Sequence, residues 1–220
     1  MAIILLVRHG ETDQVSMRLS GRLPGILLNE KGRLQAAALA EQLSLAPLLA
    51  LYSSPLERAL QTAAPLAERL GLSVRLLPWL MEVDYGTWQG KTYRQLRRQR
   101  LWKILQEQPS KSLFPGGESL CEAQERMVQG LESLAAACTP ESVVACFTHG
   151  DMIRLAVAHY LNMALDDYQR LAISTASITA LALHAGSAHL LCYNQTVELA
   201  WPILPGSPAL APAEPAPGEG

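Results

Sequence analysis

Ala2-Ile3-Ile4-Leu5-Leu6-Val7-Arg8-His9-Gly10 is an uninterrupted apolar run closed by a cation, an imidazole and a glycine. A short run of this kind without alternation reads as a strand buried on both faces, the habit of a parallel sheet covered by helices. The pattern returns at residues 142–147, which run into Thr148-His149-Gly150-Asp151. Between and after these strands, helical periods alternate with other apolar runs. This alternation predicts an α/β fold, a three-layer α/β/α sandwich around a mainly parallel central sheet.

Working outward, Asn29 is expected to cap a helix carrying Leu34, Ala38 and Leu45 toward a core, followed by a buried strand over 48–53. Ser54, Pro55 and Glu57 have the spacing of a capping box, so a helix through Leu70 is expected there with Arg58 in its first turn. A short strand at 74–77 precedes an irregular stretch at 80–90 and one polar helix at 92–106. Pro115-Gly116-Gly117 breaks the chain, and Ser119 with Glu122 opens a helix to about residue 137. A helix over 151–161 follows the late strand. An antiparallel hairpin, 176–183 with 188–193 joined at 185–187, closes the fold near the C-terminus. Residues 1–204 read as one domain with a small cap region at about 80–119. Residues 205–220, rich in Pro, Ala and Gly, are expected to be disordered.

The 220 residues are 49% hydrophobic, enough for one ordinary core, and a formal net charge of -2 creates no global field. Nucleic acid and anionic membrane surfaces are therefore not expected partners. The opening apolar run is too short for a secretion signal, and no segment reaches the roughly 20 apolar residues of a membrane span. A cytoplasmic protein is the plain reading, with a homodimer left open. Cys121, Cys138, Cys146 and Cys192 lack the pairing of a zinc knuckle or a disulfide scaffold.

Ligands of open α/β sheets bind beyond the carboxyl ends of the strands, and both His-Gly pairs fall there. Arg58, at a helix N-terminus, joins them on that rim and favours an anion. The implied ligand is a phosphate group, which arginine forks match in geometry. His9 is the candidate nucleophile, and Gly10 is expected to clear the path of attack. Glu82, on the irregular stretch, is the carboxyl placed to protonate a leaving oxygen and later deprotonate water.

These residues resemble the histidine phosphatase superfamily, also called phosphoglycerate mutase-like. The resemblance runs from Leu6-Val7-Arg8-His9-Gly10-Glu11-Thr12 through Ser20-Gly21, Leu28-Asn29-Glu30-Lys31-Gly32, residues 53–62, residues 86–90 and Pro115-Gly116-Gly117-Glu118-Ser119 to Thr148-His149-Gly150. It implies that His9 is phosphorylated, that Arg8, Arg58 and His149 bind the phosphoryl oxygens, and that Glu82 is the proton donor. It implies neither metal nor cofactor, and a small-molecule phosphate monoester as substrate. Thr148 is expected to add a hydroxyl to the pocket, with Gly10 and Gly21 beside it. Two positions depart from the family. Val15 stands where many members have Asn, so Ser16 or a backbone group must compensate. Asp151 stands where many relatives have a small or neutral residue, and its charge would repel a polyanion; a monophosphate with a neutral or cationic body, such as a phosphorylated amino acid or a nucleoside-like group, is then the expected substrate. Phosphatase is the preferred reading, since only about two dozen residues separate Gly90 from Pro115, a short insertion for a phosphoglycerate mutase. The rivals are that cofactor-dependent mutase, a metallohydrolase using His9, Glu11, Asp13, His149 and Asp151, and a non-catalytic phosphate-binding module.

Overall fold

The computed structural model describes residues 1–184 and 187–196, and contains β1 (Ala2–Arg8), α1 (Glu30–Leu43), β2 (Leu48–Ser53), α2 (Glu57–Leu70), β3 (Val74–Leu76), α3 (Tyr93–Leu96), α4 (Arg100–Glu107), α5 (Leu120–Ala137), β4 (Val143–Thr148), α6 (Gly150–Tyr160), β5 (Ile178–His184) and β6 (Ser187–Gln195). The strands form one sheet in the order β3-β2-β4-β1-β5-β6. The first four neighbours are parallel, whereas β5 joins β1 antiparallel and β6 joins β5 antiparallel. The expected hairpin is therefore present; its turn at 185–186 and the tail at 205–220 lie outside the described residues.

The opening run explains the layering. Ile4 and Leu6 enter one apolar cluster with Met127, Leu131, Met152 and Leu155 from α5 and α6. Leu5 and Val7 enter a second cluster with Leu39, Leu43, Ala63 and Leu66 from α1 and α2. Successive side chains of a strand point to opposite faces, so a six-residue apolar run serves two cores at once.

Register then brings the His-Gly pairs together. Arg8 pairs with Thr148 across β1 and β4, and Ser53 pairs with Phe147 across β2 and β4. Thus His9, Ser54 and His149 each stand one residue beyond a paired position on the same sheet edge.

Three local expectations are corrected. In α1 the inward residues are Gly32, Ala36, Leu39, Ala40 and Leu43, whereas Leu34 and Leu45 are exposed and Ala38 only partly buried. A methyl on Gly32 would come within 2.1 Å of the Glu11 carbonyl oxygen, so this backbone contact sets the helix's rotation rather than the leucines. The expected capping box of α2 does not form. Leu56 is the cap residue and makes no side-chain cap bond, while Glu57 accepts from the Gly25 N–H (2.9 Å). Arg58 nevertheless lies in the first turn. Finally, the single polar helix divides into α3 and α4. Leu96 and Leu105 are nine residues apart, which puts them on opposite sides of a continuous helix; the break lets both be buried, at 0% and 7% exposure. The expected capping box at Ser119 forms, and the structure adds another at Thr92. Among the described residues, no helix is long and apolar enough to cross a membrane.

Candidate active site

A cavity of about 130 Å³ opens beyond the carboxyl ends of β1 and β4, with Arg8, His9, Arg58 and Glu82 in its wall. The His9 backbone is held on both sides: its N–H donates to the Thr148 carbonyl (3.0 Å), and its carbonyl accepts from the Ala176 N–H (3.2 Å). Its Nδ1 lies 2.7 Å from the Gly10 carbonyl oxygen. A carbonyl only accepts, so Nδ1 carries the proton and Nε2 keeps its lone pair. Burial, followed by the charges of Arg58 and Arg8, holds the ring well below its ordinary pKa and hence neutral.

His149 is fully buried, and its ring centroid is 5.3 Å from that of His9. Its Nε2 lies 2.9 Å from Ser54 Oγ. That hydroxyl accepts from the Leu56 N–H (3.3 Å) and, among the described residues, has no acceptor for its own proton other than Nε2, so we assign its proton to Nε2 and the ring proton to Nδ1. Arg58, 2% exposed, donates from Nη2 to the Gly21 carbonyl (2.8 Å). Arg8 donates from Nη1 to the Ile173 carbonyl (2.7 Å). Arg8 Nε, Arg58 Nε and Nη1, and His149 Nδ1 are buried with no hydrogen-bond partner among the described residues. Leaving one such donor unsatisfied costs about 1–3 kcal/mol, more for a charged group. Together these donors suit one tetrahedral oxyanion, and the N-terminus of α6 beside them adds its dipole.

Glu82 shares the cavity and accepts the Val83 N–H at Oε1 (3.0 Å). Burial, then the charge of Asp151, pushes its carboxyl up to about 7. Its loop is fixed through the main chain. Arg126 donates to the carbonyls of Trp79 (2.6 Å) and Met81 (3.0 Å), and Arg22 donates to that of Glu82 (2.8 Å). Glu118 Oε1 receives both arginines and the Asp84 N–H. Trp88 is buried against Phe114 and Trp102 and pins the same region.

Other expected site residues fall less simply. Ser16 and Gly21 line the cavity, as does Val15; Ser16 has φ 63°, in the left-handed region. The Thr148 hydroxyl instead donates to the Leu80 carbonyl (2.7 Å), so it ties down the Glu82 loop and is spent before any ligand arrives. A methyl on Gly10 would meet the Gly32 carbonyl oxygen at 2.7 Å. The glycine is thus required by the packing of α1, and Gly10 is not in the cavity wall. Asp151 is in the wall, where its carboxylate pairs with Arg154 (2.9 Å) and accepts the Tyr85 hydroxyl. The pairing reduces the expected repulsion of anions, while the charge that remains still bears on Glu82. Of the groups a metal reading needs, Glu11 pairs with Lys31 (2.8 Å) instead.

Sequence reasoning missed Arg154, Tyr85, Tyr93 and Arg18, all in the cavity wall. A signal existed for Arg154, one helical turn after Asp151 on a helix that begins at the rim. Tyr85 stood within the loop already chosen for Glu82.

The geometry meets known proteins at this point. The model of the histidine phosphatase superfamily (branch 1) matches residues 4–196. Phosphoserine phosphatase 1 of Hydrogenobacter thermophilus is 30% identical over 207 residues, 90% of this chain and 95% of that protein. A 2,3-bisphosphoglycerate-dependent phosphoglycerate mutase of Thermoplasma acidophilum is 29% identical over 187 residues, covering 84% and 90%. The solved structure of mycobacterial glucosyl-3-phosphoglycerate phosphatase superposes with a TM-score of 0.79 at 31% identity, over 88% of this chain and 99% of that one. With two histidines and two arginines gathered at the sheet edge and this family matched almost end to end, the chain belongs to the histidine phosphatase superfamily and is a phosphatase of phosphoglycerate mutase-like fold.

Proposed function

We propose that the chain hydrolyses small phosphate monoesters through a phosphohistidine on His9. Nε2 of His9 attacks phosphorus as the bond to the leaving oxygen breaks, while Arg8, Arg58 and the Nδ1–H of His149 hold the three phosphoryl oxygens. Glu82 gives its proton to the leaving oxygen. Water then attacks the phosphohistidine, Glu82 takes a proton from that water, and the N–P bond breaks to release phosphate and neutral His9. A carboxyl near 7 suits both duties, because it is protonated often enough to act as acid and deprotonated often enough to act as base. Residues 1–204 act in this reading as one catalytic domain. The free thiols of Cys121, Cys138, Cys146 and Cys192 fit a reducing cytoplasmic setting.

The observation that carries the proposal is the hydrogen bond from His9 Nδ1 to Gly10, which leaves Nε2 unprotonated beside buried donors that have no partner among the described residues. Rapid quenching with a labelled phosphate ester should trap acid-labile, base-stable phosphate on the wild type and none on His9→Ala. Equal labelling of the two would sink it. Assaying phosphoglycerates alongside separates the mutase reading, which requires isomerised phosphoglycerate to outweigh free phosphate.

A further inference from the structure

Beyond the phosphate cradle, the cavity wall continues over the first turn of α6, where Asp151 and Arg154 both face it. Arg154 is held at two points: Nε donates to the Leu171 carbonyl (2.8 Å) and Nη1 to Asp151 Oδ1 (2.9 Å). Nη2 makes no hydrogen bond among the described residues. Asp151 is committed on both oxygens, to Arg154 and to the Tyr85 hydroxyl.

An ion pair three residues apart on a helix is ordinarily a surface ornament that contributes about 0–1 kcal/mol. Arg154 differs in two respects. Its side chain is only 27% exposed within the ligand cavity, and it lies close enough to Arg8 to disfavour that residue's charge. Asp151 and the Leu171 carbonyl hold the guanidinium in place and leave Nη2 for a ligand. An anionic group on the ligand, distinct from the phosphoryl group, suits that nitrogen.

We propose that Arg154 is a specificity residue that binds the carboxylate of a small phosphorylated hydroxy or amino acid, with Asp151 and Leu171 holding the guanidinium in position. The inference rests on the phosphatase reading of the same cavity and narrows its substrate class. It keeps the phosphorylated amino acid among the expected substrates and assigns its carboxylate a partner.

Matched substrates test it. O-phosphoserine and O-phosphoethanolamine differ by a carboxylate, and 3-phosphoglycerate differs from glycerol 3-phosphate by a carboxylate in place of a hydroxymethyl group. The full chain should favour the acid of each pair by at least about tenfold in kcat/KM, a ratio equivalent to one well-placed charged contact. Arg154→Gln should bring both ratios near one, chiefly by raising KM for the acids. The Asp151→Asn/Arg154→Gln double variant avoids an unpaired buried carboxylate and should show the same collapse, with melting temperatures confirming a folded chain. Phosphate release with ratios that stay at the wild-type value in both variants, or a wild type without preference, overturns the role of Arg154 alone. No release from all four esters or from p-nitrophenyl phosphate overturns the phosphatase reading with it.

Discussion

His-Gly ends two parallel strands on the same sheet edge, yet the two corners are wired in opposite senses. After β1, the Gly10 carbonyl occupies Nδ1 of His9 and leaves Nε2 as the free nitrogen. After β4, the Ser54 hydroxyl occupies Nε2 of His149 and leaves Nδ1 free. One ring therefore offers a lone pair and the other an N–H. Both are buried between the same arginines, and burial with those cations holds both pKa values well below the ordinary value. The difference between nucleophile and oxyanion donor thus resides in the partner of the second nitrogen, not in the dipeptide or its field.

The strongest test of this contrast replaces each ring in turn. His9→Ala should lower kcat by about 10,000-fold or more and abolish the trapped phosphoenzyme, because it removes the imidazole lone pair that the Gly10 carbonyl directs into the cavity. His149→Ala should cost less, about 100- to 1,000-fold, while retaining a detectable phosphoenzyme, as removal of one charge-stabilising donor does elsewhere. Equal losses in steady-state and quench assays would erase the distinction. Glu82→Gln should lower kcat on alkyl phosphates by about 100- to 10,000-fold, yet much less on p-nitrophenyl phosphate, whose leaving group needs no proton. A loss independent of leaving-group pKa removes Glu82 from the acid role.

Ser54→Ala probes the wiring itself. Without the hydroxyl, the proton of His149 is free to move between nitrogens, and one neutral hydrogen bond contributes about 0.5–1.5 kcal/mol. A loss of roughly 2- to 10-fold in kcat is expected, and Ser54→Thr should restore most of it. No change in either variant means that the arginines, not Ser54, determine which nitrogen of His149 faces phosphate.

The strand edges were readable because they depend on local rules. An apolar run stopped by Arg8-His9-Gly10 specifies both a doubly buried strand and what lies at its end. Residues 119–122 likewise announce a helix start by spacing alone, and that box forms. What could not be read depends on contacts distant in sequence. The rotation of α1 follows from Gly32 touching Glu11, and the exposure of Leu34 and Leu45 is a consequence. Ser54 and Glu57 obey capping spacing, but tertiary partners claim both: His149 takes the first and Gly25 the second. The pairing of Asp151 with Arg154, by contrast, was within reach of the i,i+3 rule on the helix expected over 151–161. The clamp on the Glu82 loop joins residues 22, 82, 118 and 126, and no spacing rule links them.

The smallest expected effect concerns the coupling between α6 and the acid. Burial is the larger cause of the raised Glu82 carboxyl at about 7, and the Asp151 charge is the next. Glu82 must be protonated to serve the leaving group, so kcat/KM, which reports the free enzyme, should fall as pH rises through about 7. Asp151→Asn removes a negative charge, makes the ionised form of Glu82 easier to reach and lowers its pKa. The basic limb must then move toward acid, and the ratio of activity at pH 7.5 to that at pH 5.5 should drop a few-fold. Because burial persists in the variant, the limb should stop short of the ordinary carboxylate range. If a pH profile of Asp151→Asn shows the limb unmoved or displaced toward alkali, burial alone sets the acid, and Asp151 serves only to hold Arg154.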